Sequence, residues 1–181
     1  HGYIHIRDVD MIVEKEEELL TVYDGPKCES AAEIAKLVAN LIDDGSTIQL
    51  SPGILSHEIA NALKEKNDLG VHTQNLINGV MELSELGVVT NRYKGLNNGK
   101  LVAGGAIGTK VLYESLHHNP SVEFRPSDYV NNPAVISEHK RMVSVNEAVA
   151  MDLTGQVAAE ALPENQFSGV TGMADFVRGS A

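Results

Sequence analysis

The sequence predicts an α/β domain with a mostly parallel β-sheet flanked by helices. Short apolar segments with strand character alternate with helical segments along most of the chain, and this alternation is typical of parallel sheets with helical crossovers. The chain of 181 residues is 43% apolar, which suffices for one hydrophobic core. Its 16 glycines and 6 prolines are scattered and mark no linker. Residues 30–181 are therefore predicted to form the domain, preceded by residues 1–29 as a lead-in segment.

The first predicted helix covers residues 30–42. Ser30 and Glu33 have the spacing of a capping box, in which each side chain satisfies a free amide of the first turn. Apolar residues at helical spacing predict one buried stripe, consisting of Ile34, Leu37, Val38, Leu41 and Ile42. An Asp-Asp-Gly sequence at residues 43–45 ends the pattern.

The rest of the domain reads as strands and helices in alternation. Strands are predicted at residues 47–50, 70–73, 88–90, 101–103, 122–124, 141–145 and 149–153. Helices are predicted at residues 56–66, 80–86 and 109–116. Ligands of parallel sheets bind where strands lead into loops. The candidate ligand loops are therefore residues 50–56, 73–79, 103–109 and 167–173.

Composition excludes several functional classes. The chain has 25 acidic and 14 basic side chains and a formal charge of −11, and its dispersed basic residues disfavour nucleic acid as a partner. No apolar run approaches the roughly 20 residues of a membrane span. A lone Cys28 favours a reducing, cytoplasmic location. The seven histidines lack metal-ligand spacing, so we expect no metal.

Two loops are candidate ligand-binding sites, although the spacing of their residues alone also fits ordinary connections between a strand and a helix. Gly53 lies between a predicted strand and a helix, where backbone amides favour an anion or a developing oxyanion. Residues 103–109 contain three glycines but match neither the dinucleotide-binding nor the Walker spacing. This second loop is equally consistent with a wall of glycines beside a bound ligand and with a tight turn.

Several motifs, in order, resemble one known family. They are Leu-Gly-Val-His-Thr at residues 69–73, Gly-Thr-Lys-Val-Leu-Tyr at residues 108–113, Asp-Leu-Thr-Gly-Gln-Val at residues 152–157 and Asp-Phe-Val-Arg-Gly at residues 175–179. Together they resemble the acetyl-CoA hydrolase/transferase family, which includes 4-hydroxybutyrate and acetate CoA-transferases. The resemblance runs from about residue 30 to the last residue. It implies a CoA-transferase-like fold and a fragment of a two-domain protein, of which this chain is part of the C-terminal domain.

The resemblance also implies a covalent mechanism on a short-chain acyl-CoA such as acetyl-CoA. In the family a glutamate attacks the acyl-CoA thioester and becomes a glutamyl-CoA thioester. A carboxylate then accepts the coenzyme A, and in the hydrolases water takes the place of this carboxylate. That glutamate aligns with Gln74 of this chain. A neutral amide is a very poor nucleophile and cannot form these intermediates. The family's Gly-Ile-Gly-x-Ile-Pro turn also differs here, because it reads Ser-Pro-Gly-Ile-Leu-Ser at residues 51–56.

Three explanations of Gln74 stay open. The chain is an acyl-CoA enzyme with a substitute carboxylate, for which Glu147 and Glu58 are the candidates, or with direct attack by water. Alternatively, it is a catalytically impaired CoA-binding module of a larger multidomain protein. An engineered substitution is the third explanation, and simultaneous departures from the family pattern in two other loops, residues 51–56 and 168–173, argue against it.

The resemblance assigns binding roles to the loops. Gly53 and Ile54 would approach the thioester oxygen, and a second set would line the channel for coenzyme A: Gly169, Val170, Thr171, Gly172 and Met173. The expected partners are acyl-CoA, a small carboxylate and the N-terminal domain of the same protein. A second copy of the protein is a further candidate partner.

Overall fold

A five-stranded parallel sheet forms the centre of the domain. The computed structural model describes residues 4–23, 28–162, 164–166, 168–169 and 171–181. The strands are β1 (Thr47–Leu50), β2 (Gly70–Leu76), β3 (Leu101–Ala106), β4 (Val122–Phe124) and β5 (Met142–Val145). Their order is β4-β3-β2-β1-β5, and every neighbouring pair is parallel. The predicted fold class is confirmed.

Helices cover both faces of this sheet. They are α1 (Glu29–Asn40), α2 (Ile54–Ala62), α3 (Asn78–Glu85), α4 (Lys110–Leu116), α5 (Ser127–Val130), α6 (Pro133–Ser137) and α7 (Met173–Gly179). Because side chains alternate along a strand, Leu101 and Ala103 of β3 join a core with α1 to α4, whereas Val102 joins a second core with α5 to α7. The domain therefore has three layers.

The strand order creates one crevice at the edge of the sheet. From β1 the chain proceeds outward through β2, β3 and β4, and it then returns to place β5 on the other side of β1. The chain after β1 forms α2 in one layer, and the chain after β5 leads to α7 in the other layer, so a crevice is expected at the carboxyl ends of β1 and β5. Beyond β5 the chain forms two short hairpins, β6 (Ala150–Met151) with β7 (Val157–Ala158) and β8 (Ala161–Leu162) with β9 (Asn165–Gln166).

The predicted orientation of the first helix is wrong. Its buried face consists of Ala31, Ala35 and Ala39, whereas Leu37 and Leu41 are 67% and 79% exposed. Ala35 and Ala39 lie in the same hydrophobic core as Ile59 and Ala60 of α2, and the two helices are in contact. Of the predicted stripe, Ile42 is buried and Val38 is partly buried, while Ile34 is exposed.

The predicted capping box is also absent at the start of α1. The helix begins at Glu29, with Cys28 at the N-cap and no capping bond from a side chain. The Ser30 hydroxyl lies 3.0 Å from the Cys28 sulfur.

Four other parts of the chain differ from the sequence prediction. The predicted strand at residues 88–90 is a single bridge between Leu69 and Val89. The predicted strand at residues 149–153 is reduced to β6, and α2 begins two residues earlier than predicted and ends at Ala62. Gly104 and Gly105 extend β3 and do not form a turn. The lead-in boundary at residue 30 stays a prediction.

Candidate active site

A cavity of about 510 Å³ lies at the carboxyl ends of β1, β2 and β5. It is lined by residues 49–52, Gln74 and Asn75, Asn146 and Glu147, and the loop residues 168–169 and 171–173, together with Ala159. These residues come from five separate parts of the sequence and meet at the crevice of the sheet. Three of the four predicted ligand loops contribute to this cavity, while residues 103–109 do not.

Gln74 lies near the end of β2 and holds the loop that leads into α7. Its Oε1 accepts a hydrogen bond of 3.2 Å from the Gly172 amide. A Cβ atom at Gly172 would lie 2.5 Å from Gln74 Oε1 and 2.6 Å from Asn131 Nδ2. Only glycine fits at position 172 without displacing these side chains. Gln74 and Gly172, which were predicted separately as site residues, are therefore in direct contact.

Glu147 follows β5 and contacts the turn that starts α2. A Cβ atom at Gly53 would lie only 2.7 Å from Glu147 Oε1, so the carboxylate lies against the bare backbone of the turn. Gly53 has φ +152°, a conformation that favours glycine. Partial burial raises the pKa of the Glu147 carboxyl. Among the described residues that line the cavity, Glu147 carries the one charged side chain.

Four side chains from β1, β5 and the residues that follow them form a closed ring of hydrogen bonds, which we call the polar ring. Gln49 Nε2 donates to Ser51 Oγ (3.4 Å), and Ser51 Oγ donates to Asn146 Oδ1 (3.3 Å). Asn146 Nδ2 donates to Ser144 Oγ (2.7 Å), and Ser144 Oγ donates to Gln49 Oε1 (2.7 Å). Gln49, Ser51 and Asn146 line the cavity.

The polar ring was not predicted from the sequence. The available signal was a polar residue at every second position, at residues 49 and 51 on one strand and 144 and 146 on another. Such spacing places side chains on one face of each strand, and β1 pairs Gln49 directly with Ser144. That pairing joins residues 95 positions apart. Predicting the ring therefore requires knowing that β1 and β5 are neighbours in the sheet.

Several of the remaining candidate residues lie at or beside the cavity. Gly169, Thr171, Gly172 and Met173 line it, and Ile54 is the first residue of α2 directly after Gly53. Val170 lies outside the described residues. Glu58 is half-buried one turn further along α2 and is not among the residues that line the cavity. The structure thus brings together Gln74 and Glu147, but not Glu58.

A buried polar cluster lies in the layer between the sheet and α5 to α7, on the side of β2 that carries Gln74. His72 Nε2 hydrogen-bonds the Val130 carbonyl (2.8 Å), and the His72 and His139 ring centroids are 4.4 Å apart. Lys94 is fully buried, and its Nζ donates to the Lys100 carbonyl (2.8 Å). Burial lowers the pKa of His72 to about 4, of His139 to about 3 and of Lys94 to about 7.

The Asp-Leu-Thr-Gly-Gln motif forms the turn between β6 and β7. Asp152 Oδ1 accepts hydrogen bonds from the amides of Thr154 (2.8 Å) and Gln156 (2.9 Å), and these contacts and the Thr154 hydroxyl lower the Asp152 pKa. In the part of the chain that the structure describes, no three His, Cys, Asp or Glu side chains group to hold a metal. Within the same residues, no helix has the length and apolar character that crossing a membrane requires.

The fold and the cavity define an α/β CoA-transferase-like domain, and comparison with known proteins agrees. Residues 108–181 match the model of the acetyl-CoA hydrolase/transferase C-terminal domain. The chain is 42% identical to the 4-hydroxybutyrate coenzyme A transferase of Clostridium kluyveri and 41% identical to the succinyl-CoA:cyclohexane-1-carboxylate CoA transferase of Geobacter metallireducens. Each alignment covers 99% of this chain and 42% of the relative.

Solved structures give the same result. RipA from Yersinia pestis superposes with a TM-score of 0.91 at 38% identity, covering 97% of this chain and 40% of that one. A 4-hydroxybutyrate CoA-transferase from Porphyromonas gingivalis superposes with a TM-score of 0.85 at 36% identity, covering 97% and 41%. The chain is thus similar to members of the acetyl-CoA hydrolase/transferase family. It spans about two-fifths of the length of these relatives.

Proposed function

We propose that the protein containing this chain transfers coenzyme A between a short-chain acyl-CoA, such as acetyl-CoA, and a small carboxylate. The observation that carries this proposal is the carboxylate of Glu147, which lies in the cavity at the crevice of the sheet and against the start of α2. Relatives named as CoA transferases support the reaction class. Coenzyme A enters as part of the substrate, and the reaction needs no metal.

Glu147 is the proposed nucleophile because Gln74 is neutral. An oxygen of Glu147 attacks the thioester carbon, and the C–S bond breaks. The CoA thiolate departs, and the acyl group stays bound to Glu147 as an acyl-glutamyl anhydride. The thiolate then attacks the glutamyl carbonyl, which releases the first carboxylate and forms a glutamyl-CoA thioester. The acceptor carboxylate reverses both steps and regenerates the Glu147 carboxylate. In a hydrolase, water would take the place of this acceptor.

The start of α2 would stabilise the negative charge that develops on the thioester oxygen. Gly53 has no Cβ, and the following amide of Ile54 belongs to the first turn, where helix amides lack carbonyl partners. Such fixed donors stabilise an oxyanion more in the transition state than in the ground state. The loop of residues 168–169 and 171–173 would line the coenzyme A channel on the other side of Gln74.

Borohydride trapping tests the proposal directly. The full-length protein is incubated with acetyl-CoA and reduced with borohydride, which converts a glutamyl-CoA thioester to an alcohol, and the modified peptide is mapped by mass spectrometry. We expect the mass change on Glu147 and its loss in Glu147→Gln. A mass change on Glu58 would move the nucleophile to α2, and turnover without any trapped residue would indicate direct attack by water.

One observation favours a second function, that of a CoA-binding module without turnover. Gln74 occupies the position of the family's nucleophile, and its Oε1 is already engaged by the Gly172 amide. Tight binding of acetyl-CoA without turnover or trapping would select this second function. In Gln74→Glu the same amide would donate to a carboxylate and favour its charged form. Transferase activity in that variant would show that the other site groups are intact.

The cytoplasmic location and the partners stay proposals of the same kind. The acyl pocket would be completed by the N-terminal domain, in keeping with relatives that extend well beyond the matched region. A homo-oligomer is a further proposal. Size-exclusion chromatography of the full-length protein with and without acetyl-CoA tests it.

A further inference from the structure

We propose that the hairpin of β6 and β7 is an interaction surface that docks onto the N-terminal domain of the same protein. Four apolar residues form this surface, which we call the hairpin face: Val149, Met151, Leu153 and Val157. The proposal rests on the proposed function in one respect, because the N-terminal domain is a partner proposed there. The complementary surface is an apolar pocket with a neutral or basic rim.

The hairpin face is exposed in this domain. Leu153 is fully exposed, Met151 is 71% exposed, and Val149 and Val157 are exposed as well. Met151 and Val157 are direct partners across the two strands, so their side chains lie on the same side, and Val149 lies there too because it is two residues before Met151. A two-stranded hairpin is only marginally stable by itself in water. An apolar face on such a hairpin therefore indicates a partner that covers it.

The turn at the tip of the hairpin fixes the position of Leu153. The Asp152 carboxylate accepts hydrogen bonds from the amides of Thr154 (2.8 Å) and Gln156 (2.9 Å), from the Thr154 hydroxyl (2.7 Å) and from Gln156 Nε2 (2.9 Å). Leu153 lies between Asp152 and Thr154 in the chain, so these bonds hold its backbone. A pre-organised side chain loses little conformational freedom on binding. Leu153 is therefore the residue that we expect to insert into the partner's pocket.

The hairpin is attached at the rim of the cavity. Glu147 precedes the hairpin and Ala159 follows it, and both residues line the cavity. A partner that covers the hairpin face therefore lies beside the cavity. The proposed function requires a second domain at this place, because that domain would complete the acyl pocket.

The path of the lead-in segment favours the N-terminal domain as this partner. The Val22 amide donates to the Gly108 carbonyl (2.9 Å), and the Tyr113 hydroxyl donates to the Leu20 carbonyl (2.9 Å). Gly108 follows the carboxyl end of β3, and all carboxyl ends of a parallel sheet share one edge. The lead-in segment thus reaches the domain at the edge that carries the cavity. The relatives also have more than half of their length outside the matched region.

Charge disfavours a second copy of the chain as the partner. Residues 147–160 contain three acidic side chains, Glu147, Asp152 and Glu160, and no basic one. In a two-fold dimer the same surface meets itself, so these acidic groups would face their own copies and repel them. The formal charge of −11 on the whole chain adds to this repulsion. A different surface, without excess negative charge, fits the hairpin face better.

Photo-crosslinking of the full-length protein identifies the partner. The change is Leu153→benzoylphenylalanine, whose side chain bonds to neighbouring C–H groups under ultraviolet light, and mass spectrometry maps the linked peptides. We expect crosslinks within one polypeptide, to residues of the N-terminal domain. Crosslinks between two copies, crosslinks only to residues 1–181, or no crosslink at all would each overturn the inference.

Leu41 offers the matched control for this experiment. It is exposed, and it follows α1 shortly before β1 begins, which places it at the opposite edge of the sheet from the cavity. We expect Leu41→benzoylphenylalanine to give none of the crosslinks that position 153 gives. The same crosslinks from both positions would overturn the inference, because contact with the N-terminal domain would then not be specific to the hairpin.

Hydrogen exchange of the full-length protein provides a second measurement. The Val149 amide donates to the Ala158 carbonyl (2.8 Å) across the hairpin. We expect Leu153→Ser to accelerate exchange in the hairpin by about 10-fold or more, because the covering contact is weakened. Leu41→Ser should leave this exchange unchanged, and thermal unfolding verifies that both variants are folded. Equal exchange in Leu153→Ser and in the unmodified protein would overturn the inference.

Turnover of acetyl-CoA, measured on the same preparations, separates this inference from the proposed function. Crosslinks to the N-terminal domain in a protein without turnover would support the docking surface and refute the transferase. Turnover together with a crosslinked dimer would support the transferase and overturn the docking surface.

Discussion

At the scale of single residues, two glycines bring loops against the two candidate catalytic positions. Gly172 lets the loop before α7 donate its amide to Gln74, and Gly53 lets the carboxylate of Glu147 lie against the start of α2. In both cases the missing Cβ atom is what allows the contact. The candidate site therefore depends on backbone approach as much as on charged side chains.

Gly172 offers a test of this dependence through stability. Its backbone has an ordinary φ of −70°, so Gly172→Ala is strained only by the contacts with Gln74 and Asn131. We expect Gly172→Ala to lower the free energy of unfolding by about 1–3 kcal/mol, as measured by urea denaturation. Gly169→Ala is the control, because a Cβ atom there meets no neighbour, and its change should stay within about 0.5 kcal/mol. Equal effects of both variants would refute the tight contact.

At the scale of elements, α1 shows how a sequence pattern misassigns a helix face. Its large apolar residues recur at helical spacing, yet the residues that α1 buries are three alanines, of which Ala35 and Ala39 share a core with α2. Both stripes have the same period, so periodicity alone does not distinguish them. The neighbouring helix decides, because two helices that pack closely need small side chains between them.

A change to glutamine is expected to have a small effect on stability on the exposed face of α1 and a large effect on its buried face. Leu37→Gln changes a residue that is 67% exposed, so we expect a change within about 0.5 kcal/mol in the free energy of unfolding. Ala35→Gln places a long polar side chain at a position that is 1% exposed, and we expect a loss of more than about 2 kcal/mol. Urea denaturation of the two variants measures both. If Leu37→Gln destabilised the domain more than Ala35→Gln, the buried face of α1 would be the one that helical periodicity predicts.

At the scale of the whole molecule, the two cores differ in chemistry. The layer of α1 to α4 is apolar, whereas the layer of α5 to α7 contains the buried groups His72, His139 and Lys94. Burial holds the pKa of each below its ordinary value. The unfolded chain therefore binds protons that the folded chain does not, and the stability of the whole domain depends on pH.

Lys94 makes this dependence measurable above neutral pH. Its pKa falls from 10.5 to about 7 on folding, so its contribution to stability is complete above 10.5 and is lost as the pH falls toward 7. Lys94→Met removes the titrating group. We expect the unfolding free energy of the unmodified chain, minus that of Lys94→Met, to increase with pH between 7.5 and 9.5, by up to about 1.4 kcal/mol for each pH unit. A constant difference would mean that Lys94 titrates normally.

The sequence by itself determined the fold class and the family resemblance, and that resemblance predicts that Gln74 stands at the position of the family's glutamate. These depend on local alternation and on short motifs, which are properties of neighbouring residues along the chain. The predicted strands at residues 47–50 and 122–124 coincide with β1 and β4 for the same reason.

Only the tertiary structure decided which face α1 buries, that Glu147 lies against Gly53 and that the polar ring closes. Each of these joins residues far apart in the chain, such as Ser51 and Asn146 at a separation of 95 positions. Their contact requires β5 to return beside β1 after the chain has already built three other strands. Periodicity describes the faces of an element, but packing of distant elements selects the face and the contact that the protein uses.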